Sequence, residues 1–214
     1  GLGRTFAIFF LTLAFSLPLG VILALLRRSK VGVLRGITRT LISILRGTPL
    51  MLQLLAVTYG PYYISKFLES QFGLALGIGV ARNKLVPIIA GFAINYAAYF
   101  AEIYRGGIES MSQGQYEAAE VLGYSRTQTF MRIILPQVVK RILPSITNEV
   151  ITLVKDTSMA FTVGYQEMFT IGKTISNSES SFMPFLIAGV FYFLFNGIVD
   201  FVMTRLERKL NYYR

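Results

Sequence analysis

Charged and hydroxyl side chains interrupt an otherwise apolar segment in the last third of the chain. Glu149, Thr152 and Asp156 follow the spacing i, i+3, i+7, so a helix would carry all three on one face. Carboxylates inside an apolar segment are costly unless they meet a partner or a ligand, and they bind ammonium and guanidinium groups well. The spacing therefore predicts a helix face that is turned away from lipid and can bind a cationic group.

Other polar groups suited to the same ligand occur nearby in the sequence or in an earlier apolar segment. Asn95 lies near the middle of that earlier segment and Tyr99 lies one turn further on, and both can hydrogen-bond inside a bundle. Lys155, or the backbone N–H groups near Thr157 and Ser158, can bind a carboxylate. We expect the two faces to line a pocket for a ligand that carries a cationic and an anionic group.

The same charges also have structural interpretations. Lys155 and Asp156 could neutralise each other or pair across a subunit interface, and Glu149 could contact another helix. Glu102 precedes Arg105 by three residues near the end of an apolar segment, so we expect an i,i+3 ion pair there instead of substrate contact.

Several kinds of chemistry are excluded by composition. The chain has no cysteine and no histidine, which removes disulfides, thiolate or imidazole metal sites, a cysteine nucleophile and a histidine proton relay. Gly172, Lys173 and Thr174 resemble the end of a phosphate-binding loop, but that motif needs a glycine where Glu167 stands. We therefore predict no catalytic residue, no metal and no cofactor in this chain.

Composition places the chain in a membrane. Of its 214 residues 53% are hydrophobic and 15% charged, and its mean hydropathy is +0.55. The net charge of +10 does not indicate nucleic-acid binding, because long apolar segments separate the basic residues. We predict an all-α integral membrane protein with one domain over residues 1–214. Its five transmembrane helices are expected at about 5–26, 47–65, 85–104, 142–163 and 182–204.

The basic residues predict how these helices are oriented. Fifteen of the 21 lysines and arginines lie in the segments 27–46, 105–141 and 205–214. Because cytoplasmic segments of membrane proteins are enriched in lysine and arginine, these three are expected inside, with the amino terminus outside and the carboxyl terminus inside. The first apolar segment is too long for a signal peptide and is expected to be a retained span.

Two shorter stretches are not expected to cross the membrane on their own. Residues 31–45 are apolar except for Arg35 and Arg39, which share one helical face, so this stretch should lie along the inner interface or extend the second span. Residues 73–80 are too few to span a bilayer, and we expect an outer loop or a shallow re-entrant segment.

A polar loop at about 113–136 carries the most specific pattern. It reads as an EAA triplet, three residues, a glycine, nine residues and I-x-L-P. The triplet and the glycine are Glu117, Ala118, Ala119 and Gly123. Small alanines permit close approach to a partner, the glutamate offers a carboxylate to a basic side chain, and the glycine permits a sharp turn. The pattern predicts a helix, a turn and a second helix that together dock on another protein.

This loop resembles the segment by which permease subunits of bacterial ABC importers engage their ATPase. Further matches are similar to the branch that imports polar amino acids: RGTPL at 46–50, NYAAY at 95–99, AEIYRGGI at 101–108 and KDTS at 155–158. The resemblance covers nearly the whole chain and implies a multi-pass protein of the bacterial inner membrane.

The resemblance also implies partners. Two permease subunits, identical or closely related, would form one pathway above two ATPase subunits that bind ATP and magnesium, and an external binding protein would deliver the amino acid. Three candidate carboxylates against one lysine favour a basic amino acid, with a neutral or acidic one as the alternative. A secondary transporter or channel, and a membrane-anchored sensor or assembly component, are the rival functions.

Overall fold

The structure, a computed structural model, describes residues 1–210, and all its regular elements in that range are helical. This confirms the predicted all-α fold. Within the described range the α-helices are α1 (Leu2–Arg27), α2 (Gly32–Gly47), α3 (Leu50–Phe72), α4 (Leu85–Glu109), α5 (Gln113–Val121), α6 (Arg126–Gln128), α7 (Leu135–Asp156), α8 (Met168–Glu179) and α9 (Met183–Leu210). A π-helical turn, Thr129–Ile134, leads into α7, and a 3₁₀ helix, Thr157–Val163, follows it.

Three of these helices, α1, α4 and α9, are long and apolar enough to cross a membrane. They contain the first, third and fifth predicted spans almost entirely, and each continues past the predicted inner end. The extension of α4 to Glu109 and of α9 to Leu210 adds polar turns beyond the apolar stretch, which hydropathy alone does not detect. The last four residues of the basic segment 205–214 lie outside the described residues.

The second predicted span is broken. Helix α3 begins at Leu50, three residues later than predicted, because Thr48 and Pro49 are extended. Helix α2 precedes this break, and the axes of α2 and α3 differ in direction by 111°. The pair counts as one further span only if both helices are taken together. Helix α2 therefore does not continue α3 downward but runs across it, and the expected interfacial position of 31–45 stays a prediction.

The fourth predicted span, 142–163, covers most of α7 and the 3₁₀ helix. Helix α7 carries too many charged residues to count as a span by length and composition, so the described residues give three or four candidate spans. The five-span count and the proposed sidedness thus stay predictions. Residues 74–81 form no regular element, and Gly73 ends α3 in a left-handed conformation, as an outer loop requires.

Helix α4 forms the centre of the fold. Its aromatic residues Phe92, Tyr96 and Phe100 are buried among side chains of α1, α3 and α7. On another side Ala97, Ala98 and Ala101 pack against residues of α1 and α2. These alanines are fully buried, and side chains this small let neighbouring helix backbones approach closely. The central helix consequently fixes the positions of the elements that carry the candidate site.

Helix α8 is an element that the sequence interpretation did not include. Glu167 precedes it and is fully buried, and its carboxylate accepts hydrogen bonds from the backbone N–H groups of Phe169 and Thr170, both 2.7 Å. Tyr192 of α9 donates a third, 2.9 Å. A carboxylate at a helix amino terminus is stabilised by those N–H groups, so Glu167 has a structural role here.

Candidate functional site

The break between α2 and α3 lies beside the middle of α4 and falls within the RGTPL motif. At the break the carbonyl of Leu45 has lost its helical partner, and the side-chain amide nitrogens of Gln53 and Asn95 donate to it at 2.7 and 3.3 Å. The Asn95 nitrogen also donates to the Gln53 carbonyl oxygen, 3.0 Å. The two side-chain amides therefore satisfy a carbonyl group that the break leaves without its helical partner. Lipid could not do so, because acyl chains carry no hydrogen-bond donors.

Asn95 is buried, with 4% of its surface exposed, and its NH₂ group is already used by these protein acceptors. Substrate contact by Asn95 stays a prediction, but its observed contacts hold the break in place. Gln53 was not among the predicted site residues. The polar residue one turn after the RGTPL motif is the signal that could have identified it.

Arg46 is a second residue that sequence reasoning did not select. Its guanidinium carbon lies 5.3 Å from the ring centre of Tyr99, which is partly exposed, and one guanidinium nitrogen lies 3.8 Å from the Glu102 carboxylate. Glu149 on α7 is close enough for its charge to interact with that of Arg46. The Arg46 guanidinium thus lies over an aromatic ring and beside the Glu102 carboxylate.

Asp156 lies at the end of α7, where the α-helix changes to a 3₁₀ helix. Its carboxylate accepts a 2.7 Å hydrogen bond from the hydroxyl of Tyr96, so α4 and α7 are linked at this point. Glu149, two turns earlier on the same face of α7, is half-buried and forms no hydrogen bond or salt bridge among residues 1–210. The two carboxylates therefore differ: Asp156 is hydrogen-bonded to another helix, whereas Glu149 can still accept hydrogen bonds from a ligand.

The remaining predicted residues of α7 and the 3₁₀ helix use their polar atoms locally. Thr152 is exposed and its hydroxyl donates to the Asn148 carbonyl, 2.9 Å, and the Ser158 hydroxyl donates to the Lys155 carbonyl, 2.8 Å. The Lys155 side chain is exposed, and within the described part of the chain no salt bridge joins it to Asp156. The structure thus brings Tyr99, Glu149 and Asp156 into one region, with Thr152 and Lys155 at its exposed edge.

Near the carboxyl-terminal end of α4 an ion cluster surrounds Glu102. Arg105 donates to its carboxylate at 2.9 and 3.1 Å, which is the expected i,i+3 pair, and Arg27 of α1 pairs with it as well. Arg105 also pairs with Glu109. Because the Glu102 side chain is only 12% exposed, the cluster fastens α1 to α4 in a region of limited solvent access.

The loop with the EAA pattern forms the predicted helix, turn and second helix. Helix α5 contains the EAA triplet, and Gly123 after it has φ +77°, the left-handed conformation. The N–H of Tyr124 donates to the Ala119 carbonyl, 3.0 Å, and the N–H of Gly123 to the Glu120 carbonyl, 2.9 Å, which is a Schellman cap. The glycine is required here because an L side chain is strained at this φ.

The two alanines of the triplet have different surroundings. Glu117 and Ala118 are exposed, whereas Ala119 is buried within the chain. Val121 and Leu122 follow and are 87% and 73% exposed. The outer surface of α5 therefore presents two carboxylates, Glu117 and Glu120, and an apolar end. Ala119 permits close approach to the chain's own helices rather than to an outside partner.

Side-chain hydrogen bonds fix α5 to α7. The amides of Gln115 and Gln137 donate to each other at 2.9 and 2.8 Å, and Gln137 also donates to the Ile133 carbonyl, 2.7 Å. Arg141 of α7 donates to the carbonyl of Ser110, 2.6 Å, just before α5. The protruding helix is thus rigidly connected to the helix that ends at the candidate site.

A helical bundle with a broken helix, buried polar groups at the break and a short helix hydrogen-bonded to its outside is typical of membrane permeases. The sequence profile of the family described as binding-protein-dependent transport system inner membrane component matches residues 16–212. The chain belongs to this family. It is a permease subunit, and not itself the ATPase of such a system.

Known relatives agree with this assignment. The chain is 38% identical to the octopine transport system permease protein OccM of Rhizobium radiobacter over 201 residues, covering 92% of this chain and 80% of the relative. It is 34% identical to the L-cystine transport system permease protein TcyL of Bacillus subtilis over 210 residues, covering 96% and 84%. In a crystal structure of an amino acid ABC transporter with histidines, one chain superposes with a TM-score of 0.83 at 28% identity, covering 98% of this chain and 92% of the other.

Proposed function

We propose that this chain is the transmembrane subunit of an ATP-driven importer of a polar amino acid in the bacterial inner membrane. The observation that carries the proposal is the α5 helix, exposed on one side and hydrogen-bonded to α7 on the other. Such a helix has no use in a channel or a gradient-driven transporter, because it neither lines a pathway nor closes the bundle. Relatives named for octopine and cystine transport support an amino-acid substrate.

Coupling to the ATPase would act through the exposed surface of α5. Glu117 offers its carboxylate to a basic residue of the partner, and the exposed Val121 and Leu122 can enter an apolar groove. Motion of α5 would pass to α7 through the Gln115 and Gln137 amides. Two permease copies would then rock between outward-open and inward-open states as ATP binds and is hydrolysed.

The substrate would bind between α4, α7 and the α2–α3 break. Its ammonium group is matched by Glu149, which has no hydrogen-bonded partner among residues 1–210, and its carboxylate by Arg46 or by the exposed Lys155. Asp156 lies near enough to attract a second cationic group, which favours a basic amino acid. A neutral amino acid has no second cationic group for Asp156, whose carboxylate would then keep only its hydrogen bond from Tyr96.

The assembly we propose contains two copies of this permease with five spans each, two ATPase subunits that bind ATP and magnesium, and an external substrate-binding protein. The amino terminus would lie outside and α5 inside. Structural neighbours include transporters of methionine and of the polysaccharide alginate, at 20% identity or less, which support the fold alone.

The decisive experiment uses vesicles that contain the permease, its ATPase and the binding protein, with radiolabelled arginine, glutamine or glutamate. ATP-dependent accumulation is expected, with arginine preferred. Replacing Glu117 by Lys should abolish ATPase-linked uptake, while the same charge change at the exposed Glu179 of α8 should not. Accumulation that needs no ATPase, or that survives Glu117→Lys, would support a secondary transporter instead, and equilibration of the label without accumulation would support a channel.

A further inference from the structure

Helix α2 leaves most of its surface uncovered, with only Thr38 and Ile42 buried against the rest of the chain. A helix of 16 residues that touches its own protein along so narrow a strip must be covered on its apolar side by something else. The composition and orientation of α2 indicate what covers its apolar side.

The uncovered residues separate into two opposite faces. Val33, Ile37, Leu41 and Ile44 are exposed and recur at i, i+4, i+8 and i+11, which is one helical stripe. At about 100° per residue, Arg35 and Arg39 project on the opposite side, roughly half a turn around the axis. The strip that is buried against the protein lies between these two faces. Helix α2 is therefore amphipathic, and its apolar face and its basic face lie on either side of the strip that contacts the rest of the chain.

The basic face continues into the preceding turn. Arg28 and Lys30 are exposed just before α2, so four cationic side chains occupy the corner between α1 and α2. Among residues 1–210 none of the four side chains forms an ion pair, whereas the adjacent Arg27 is neutralised by Glu102. Four uncompensated charges beside an apolar stripe need an anionic environment with an apolar layer next to it.

The orientation of α2 suits such an environment. Its axis differs by 111° from that of α3, so α2 lies across the bundle rather than along it. Helix α3 packs on the membrane-spanning helix α4, with Leu54 against Gly91. A helix that crosses this direction lies near the plane of the bilayer, where its apolar face can point toward the acyl chains and its basic face toward the head groups.

We propose that α2 is an interfacial helix that binds the head groups of anionic phospholipids through Arg28, Lys30, Arg35 and Arg39. Its apolar stripe inserts beside the acyl chains. The inference requires only that the chain resides in a bilayer; the leaflet, by the proposed sidedness, is the inner one. Anionic lipids bound at this corner would anchor the segment that leads to the α2–α3 break.

The position of the apolar face is tested with a single tryptophan, because the natural chain has none. Full-length Ile37→Trp and Arg39→Trp variants are placed in nanodiscs whose lipids carry bromine on the upper part of the acyl chains, close to the head groups. We expect strong quenching of fluorescence for Ile37→Trp and at most a third of that for Arg39→Trp. Equal quenching, or no quenching of Ile37→Trp because a protein covers this face, overturns the proposal.

The head-group preference is tested by native mass spectrometry after exchange into nanodiscs of phosphatidylglycerol and phosphatidylcholine. The wild type should retain phosphatidylglycerol selectively, and each arginine removed should lower that selectivity by roughly fivefold, because a basic residue near an anionic surface contributes about 1 kcal/mol. The test variant is Arg35→Gln/Arg39→Gln. The control, Arg82→Gln/Lys173→Gln, changes net charge equally at exposed positions elsewhere. If both pairs behave alike, the preference reflects net charge and no site on α2.

Neither measurement uses transport as its readout. A permease that fails to import amino acids but shows this lipid selectivity would contradict the proposed function and leave the lipid site intact. A permease that imports amino acids but shows no lipid selectivity would support the proposed function and contradict the lipid site.

Discussion

A hydrogen bond from the Tyr96 hydroxyl to the Asp156 carboxylate joins α4 to the end of α7. The Tyr96 side chain is 2% exposed, and its hydroxyl lies 2.7 Å from the carboxylate oxygen. A hydrogen bond to a charged group contributes about 1.5–3 kcal/mol, and a buried acceptor left without its donor loses that amount. Tyr96→Phe should therefore lower the free energy of unfolding by about 1.5–3 kcal/mol.

Asp156→Asn separates the charge from the hydrogen bond, because its amide oxygen can still accept from Tyr96. Its expected loss of stability is about 1 kcal/mol or less, the difference between a charged and a neutral hydrogen bond. Uptake of a basic amino acid should nonetheless fall by tenfold or more if the carboxylate also binds substrate, since tenfold corresponds to about 1.4 kcal/mol. The two variants thus separate a structural role from a substrate-binding role.

The assay pairs denaturant unfolding of the purified protein in detergent with uptake by reconstituted vesicles. Tyr104→Phe is the matched control on the same helix, because the Tyr104 hydroxyl makes only a 3.4 Å contact with the Leu17 carbonyl. We expect this control to lose less than about 1 kcal/mol. Equal destabilisation of the two tyrosine variants would refute the reasoning, and parallel losses of stability and uptake in Asp156→Asn would assign Asp156 a structural role only.

Three further predictions concern packing and coupling. A Cβ atom on Gly20 would lie 2.8 Å from the nearest side chain of α4, so Gly20→Ala should destabilise the protein in thermal unfolding by about 1–3 kcal/mol, whereas Gly189→Ala, with open space around it, should not. Gln137→Ala removes the two hydrogen bonds that join Gln115 of α5 to α7 and should raise the ATP hydrolysed per amino acid imported in reconstituted vesicles. Glu102→Gln removes the carboxylate shared by Arg27, Arg46 and Arg105, of which only Arg105 keeps a second one, Glu109, among the described residues. It should cost about 1–3 kcal/mol in chemical unfolding, and a smaller effect than that of the exposed Glu109→Gln would contradict the cluster's role.

Local sequence features predicted most of the elements. The apolar lengths placed α1, α4 and α9, and Gly123 marked the end of α5, because a left-handed turn needs a residue without a side chain. The spacing of Glu102 and Arg105 predicted their ion pair, since i,i+3 neighbours meet on any helix. These features depend only on residues that are close in the chain.

Contacts between distant residues were not accessible in this way. The spacing of Glu149, Thr152 and Asp156 suggested one common face, but Thr152 is exposed and Asp156 is held by Tyr96 of another helix. Arg46 was part of a motif and gave no sign that it would stack on Tyr99, 53 residues later. Which polar group meets which depends on how the helices cross, and periodicity along one helix does not contain that information.

The sequence by itself thus determined a helical membrane permease with a protruding EAA helix, because apolar length, basic residues and turn glycines act locally. The tertiary structure decided that α2 turns 111° away from α3, that two amides satisfy the broken backbone at Leu45, and that α5 is fastened to α7. Those features arise where separate helices meet. Their energies come from packing and hydrogen bonds between residues that only the fold brings together.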